Sequence, residues 1–181
     1  MHEIPPLTHA KRGTVLDVHH NILPSTNKHM PYAGSFNLIK VQVEGVGEVQ
    51  TLSDLDMSIH SAVHLFTESE FHNGLRDLSD FDMLLRHYQT NQNDFIAQLI
   101  IRAKELGLYS YVRLAIRYAH KVFATPLDSE NFPALDSHSS IQNSFQDFCF
   151  LNIFKPNHKS CRTWHMTLAR ITLYWRGHLI R

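Results

Sequence analysis

Asp17 and His19 stand two positions apart in 13-GTVLDVHHNILP-24, so on an extended chain they share a face. A metal site or an acid-base pair built on a strand needs that placement, because the carboxylate offers hard oxygen donors and the imidazole a nitrogen that titrates near neutrality. A solvated polar face on an edge strand would carry the same residues. His60 and His64 lie four apart, which puts both imidazoles on one side of a helix. No glutamate follows His60, so the zinc-protease pattern lacks its general base. The pair reads more readily as structural, and a metal-dependent hydrolase built from His60, His64 and Asp80 is the lesser alternative. Arg76, Asp77, Asp80 and Asp82 crowd one segment, and Arg76 and Asp80 are spaced to pair with each other on a helix.

The order 34-GS-35 followed by 54-DLD-56 imitates a phosphate-holding Gly-Ser turn followed by two magnesium carboxylates. The imitation is poor. The interval is long and strand-like, and Asp54 and Asp56 fall in a first helical turn, where the helix dipole favours acids for structural reasons alone.

These residues need elements to hold them. Val15, Asp17 and His19 alternate with Leu16, Val18, His20 and Ile22, a period-two pattern that predicts a strand. A loop from Pro24 to Gly34 follows, and then Ile39, Val41 and Val43 alternate up to Glu44-Gly45-Val46-Gly47 before Val49 and Thr51 resume. That is a hairpin with a glycine-bearing turn. From Ser53 the period becomes helical: Ser53 and Asp56 approximate a capping box, and Leu55, Ile59, Ala62, Val63 and Phe66 form one apolar face. A second helix carries Leu75, Leu78, Phe81, Leu85 and Tyr88. A third runs from Asn93 or Asp94 to Gly107, and a fourth from Ser110 to about Ala124 before Pro126. A polar loop spans Leu127–Ser140, and two further helices are expected over Ile141–Phe154 and Arg162–Leu179.

The fold class is therefore α+β, a short strand and β-hairpin followed by a bundle of about six helices. Residues 1–52 read as the partial β portion and 53–181 as a helical C-terminal region. At 181 residues with 43% hydrophobic content, the chain is large enough to build a core. Seventeen basic and seventeen acidic residues balance, so no global field marks a nucleic acid or a membrane surface as partner. Two cysteines, Cys149 and Cys161, give neither zinc spacing nor a disulfide framework. No apolar run reaches the roughly 18 residues that span a bilayer, and Met1–Pro6 has no signal-peptide core, so the chain reads as cytoplasmic.

Taken in order, 16-LDVHH-20, 59-IHSAVHLF-66 and 75-LRDLSDFDMLL-85, with a hairpin between the first two, resemble the uncharacterised nucleotidyltransferase family, whose members look like polymerase-β-type enzymes with a helical C-terminal region. The likeness runs from about Thr14 to Ala124. It implies that Asp17 and His19 take the catalytic strand motif, with Asp17 a magnesium ligand, and that His64, Arg76 and Asp80 contact substrate. It further implies magnesium-assisted transfer of a nucleotidyl group from a nucleoside triphosphate to an acceptor. The family's Gly-Ser turn and first two carboxylates are expected upstream of Thr14, where only 1-MHEIPPLTHAKRG-13 stands. One carboxylate cannot assemble a two-metal site, so the chain reads as a fragment, a truncated member or the later half of such a protein, either active or inactive at this length. The competing reading is a non-catalytic helical module that binds a protein partner or self-associates through an exposed sheet edge.

Overall fold

The computed structural model describes residues 3–19, 21–24, 27, 29–67, 73–128, 140–156 and 158–176. Four strands come first: β1 (Glu3–Thr8), β2 (Val15–His19), β3 (Leu38–Val43) and β4 (Gly47–Leu52). Six helices follow among the described residues: α1 (Asp54–Thr67), α2 (Gly74–Asn91), α3 (Phe95–Glu105), α4 (Tyr109–Phe123), α5 (Ser140–Ile153) and α6 (Trp164–Arg176). The α+β class and the helix order match the sequence reading. The β portion differs from it, because the strands form two separate antiparallel pairs, β1–β2 and β3–β4.

β1 is the strand that sequence reasoning missed. It contains Pro5 and Pro6, which have no N–H to give a ladder and argue against a strand. The pairing tolerates them by shifting register: Ile4 faces Val18, Leu7 faces Leu16, and the shift falls between the two. Two residues of β1 thus oppose Asp17 alone, the count of a β-bulge. The alternation on β2 does not sort its residues into a buried and an exposed face at its start. Both Val15 and Leu16 are exposed, and Leu23, beyond the strand, reaches the core instead.

The β3–β4 hairpin is regular, from Leu38 opposite Leu52 to Val43 opposite Gly47. Gly45 and Gly47 adopt φ of 76° and 103° in its turn, a region costly for residues with a Cβ. Its base closes where the Ser53 amide donates to the Asn37 carbonyl at 2.8 Å, and Ser53 then caps α1, its Oγ accepting from the Asp56 amide at 3.3 Å.

Helices α1 to α4 form the core, with α4 packed against the other three. The expected faces are the buried ones: Ile59, Ala62, Val63 and Phe66 on α1; Leu78, Phe81 and Leu85 on α2; and Phe95, Ile96, Leu99, Ile100 and Ala103 on α3. α3 ends at Gly107, φ 71°, where the Leu108 amide returns to the Ala103 carbonyl at 2.8 Å. α4 ends where expected, with Ala124 in the left-handed position, φ 52°, two residues before Pro126. α5 and α6 pack on each other, and α5 is keyed to the bundle through Phe150, whose ring meets Phe66 at 5.2 Å and Tyr118 at 5.2 Å. The expected loop 127–140 lies mostly outside the described residues. Among the described residues, no helix is long and apolar enough to cross a membrane.

Candidate functional site

Of the two acids nearest to a phosphate-site pattern in sequence, one is turned onto an arginine. Asp56 is 0% exposed. Its Oδ1 accepts from Arg102 Nε at 2.8 Å and its Oδ2 from Arg102 Nη2 at 3.0 Å, while the Asn37 amide donates to Oδ2 as well. Arg102 also donates to the Ser35 carbonyl and, from Nη1, to Glu105 at 3.1 Å. One guanidinium thereby ties the 34-GS-35 turn, the base of the hairpin, α1 and α3 together. Bidentate pairing to Asp56 holds the Arg102 guanidinium above its ordinary range, against the opposing push of burial. The half capping box has been diverted: the Asp56 carboxylate serves Arg102 and Asn37 rather than closing back on Ser53. Asp56 is a structural anion, since coordinating a cation would cost it a buried ion pair.

Asp54, two residues earlier, is half-buried beside Tyr88. Burial first, and then the Asp54 charge, push the Tyr88 phenol up. Its hydroxyl also lies 3.7 Å from Met57 Sδ.

Two more ion-pair networks stitch the helices. On α2, Asp82 is bound by Arg86 Nε at 2.9 Å to both oxygens and by Thr125 Oγ1 at 2.6 Å, and Arg86 Nη2 donates to the Phe123 carbonyl at 2.8 Å. Orphan carbonyl and buried carboxylate are satisfied together at the end of α4. Between α4 and α5, Asp147 accepts from Arg117 Nη2 at 3.0 and 3.1 Å and from Lys121. Burial pushes the Asp147 carboxyl up, but Arg117 and Lys121 together outweigh it and hold it below the usual carboxylate range. The neighbouring Tyr118 hydroxyl is buried with no hydrogen-bond partner among the described residues, and burial pushes that phenol strongly up.

The sequence-derived site residues are distributed as follows. Asp17 and His19 lie on β2 with Val18 between them, and their side chains fall outside the described set. His64 is exposed on α1 and stacks on His60 at 6.2 Å, one turn apart. Arg76 and Asp80 are both exposed on α2. The pairing expected between those two is not the one that forms: Arg76 binds its neighbour Asp77, at 3.1 Å from Nε and 2.9 Å from Nη2. Among the described residues, no group of three His, Cys, Asp or Glu side chains is placed to hold a metal ion, so His60, His64 and Asp80 do not assemble one. Arg102, Arg117 and Asp147 had no sequence signal, because their partners lie 46 and 30 residues away, beyond any local spacing rule.

The profile of a family described as an uncharacterised nucleotidyltransferase matches residues 2–124. The match stops where α4 ends, as the motif likeness does, and begins twelve residues before it, taking in β1. No match is found among curated proteins or among solved structures.

Proposed function

Because the chain belongs to the uncharacterised nucleotidyltransferase family, we propose that it acts in transfer of a nucleotidyl group from a nucleoside triphosphate to an acceptor, with Asp17 and His19 on β2 as the reacting end of the site. The observation that carries this reading is the family match itself, which spans the Asp-x-His strand and all four core helices. The β-bulge opposite Asp17 supports it, since bulges re-aim side chains and are enriched beside active sites. So does the contrast with Asp56: the buried carboxylate is committed to Arg102, which leaves the strand acid as the better candidate for chemistry.

In this reading His64, Arg76 and Asp80 bind substrate. All three are exposed, on two helices packed together, where a ligand can reach them. Arg76 would meet phosphate oxygens, and His64 with Asp80 the hydroxyl groups of a sugar or acceptor.

Magnesium is the metal that family chemistry implies, and the described residues fit it poorly. Two hard cations need several carboxylates at oxygen-ligand distance. The described residues offer no such group, and Asp56 is already committed. Asp17 is therefore assigned one ligand position, and no step of the proposal runs through the metal. Titrating a nucleoside triphosphate into the full chain with and without magnesium, by calorimetry, tests the reading. Binding that depends on magnesium and is lost in Asp17→Ala supports it; equal binding in both proteins removes Asp17 from the mechanism.

A second reading, the non-catalytic interaction module, is favoured by one specific feature. Ile39, Val41 and Val43 share one face of the β3–β4 hairpin and are exposed, as is Val46 at its turn. Light scattering decides this: a monomer across a wide concentration range counts against self-association through that face.

A further inference from the structure

The balanced charge of the whole chain conceals a division. All seventeen acidic residues lie at or before Asp147, where they face eleven basic ones; residues 148–181 contain six Lys or Arg and no acid. The basic part is outside the family match. It contains α6, which is apolar on two sides. Met166 and Ala169 are buried on the inner side, whereas Trp164 is 68% exposed, Leu168 41% and Ile171 49%. Spacings of four and three residues align those three along one outer stripe. A surface helix on a soluble bundle ordinarily carries charge there. Lys155, Lys159 and Arg162 are exposed just ahead of the stripe, and the Trp164 ring meets that of His165 at 3.8 Å, tilted by 31°, at its start.

From this we infer that the outer face of α6, with the basic approach Lys155–Arg162, is a docking surface for an anionic lipid bilayer. Charge complementarity selects the occupant: the exposed Lys155, Lys159 and Arg162, in a stretch of 34 residues without one carboxylate, are attracted to a negatively charged surface at its interface. The side chains select lipid over nucleic acid. Leu168 and Ile171 have no flat face on which a base could stack, whereas aliphatic side chains enter the acyl boundary and tryptophan settles at headgroup level. The helix lies in the plane of the surface and does not cross it, consistent with its length and its polar Thr167 and Thr172. The inference is independent of nucleotidyl transfer and would place that activity at a membrane surface.

Co-sedimentation of the full chain with vesicles tests it. Vesicles of phosphatidylcholine containing phosphatidylglycerol are compared with phosphatidylcholine alone, at low and high salt. Partition onto the anionic vesicles is expected to be roughly tenfold or more above the neutral ones and to fall as salt is raised. Ile171→Asp and Leu168→Asp, at exposed positions, should each weaken it by about tenfold with unchanged circular dichroism. Lys159→Gln combined with Arg162→Gln should weaken it while leaving the apolar stripe intact, so the inference does not depend on one variant folding. Three outcomes overturn it: equal or absent partition onto both vesicles, capture of a single-stranded RNA oligonucleotide in preference to vesicles, or a concentration-dependent dimer that Leu168→Asp dissolves.

Discussion

The helical bundle and the paired strands treat polar groups in opposite ways. In the bundle, the carboxylates of Asp56, Asp82 and Asp147 are each bound by an arginine and by a further donor, and every network joins two or more elements. On the strands, large apolar side chains face solvent instead: Val15 and Leu16 on β2, and Leu38, Ile39, Val41 and Val43 on β3. Two-stranded hairpins are marginal alone. The bundle spends these three carboxylates on cohesion, whereas Glu48 on β4 is exposed and pairs with the likewise exposed Lys40. A carboxylate that must bind substrate or cation has to be of the second kind, because breaking a buried ion pair costs more than a surface contact returns.

The comparison breaks most visibly at Asp56. Asp56→Ala leaves the Arg102 guanidinium without its buried partner, and a loss of about 3–5 kcal/mol in urea unfolding is expected. Combining Asp56→Leu with Arg102→Met should recover much of that loss, because well-packed apolar residues replace a buried pair at little cost. A single variant as stable as the parent would show that the pair contributes nothing to cohesion.

Asp147 comes next. Asp147→Asn removes the anion that Arg117 and Lys121 share, at a cost of about 1.5–3 kcal/mol. Its carboxyl is depressed in the folded state, so its contribution is fully present above the ordinary carboxylate value of 3.8 and is lost as pH falls through the lower folded value. Melting temperatures of parent and variant should differ by a constant amount above that pH and converge below it. Convergence on raising the pH instead would contradict the assignment.

Smaller effects follow. Thr125→Val deletes one donor to Asp82 while Arg86 remains, and about 1 kcal/mol is expected from chemical denaturation. Val41→Thr, on the exposed hairpin face, should move stability by no more than about 0.5 kcal/mol. A loss of several times that would mean the face is covered.

How far the sequence discloses this molecule follows the same division. The core faces of α1, α2 and α3 were legible because helical periodicity is local, and the stop at Gly107 because only that residue type takes its φ cheaply. β1 was hidden by Pro5–Pro6, whose missing amides are accommodated by a register shift that no local rule anticipates. The Asp56–Arg102 pair was hidden by distance along the chain: Asp56 read as a helix-start acid, and nothing near it named Arg102. Arg76 illustrates the limit of spacing rules, since it turned to Asp77 rather than to Asp80 one turn away. The basic run after Asp147 was in plain view, and only the whole-chain total concealed it.

The account depends on Asp17 being the chemically active acid and Asp56 the structural one. The most direct measurement is calorimetric titration of a magnesium nucleoside triphosphate into the parent, Asp17→Ala and the Asp56→Leu/Arg102→Met double variant. Binding lost in Asp17→Ala, with an unchanged melting temperature, and retained in the double variant is the predicted result. Binding retained in Asp17→Ala but lost in a folded double variant would reverse the two roles.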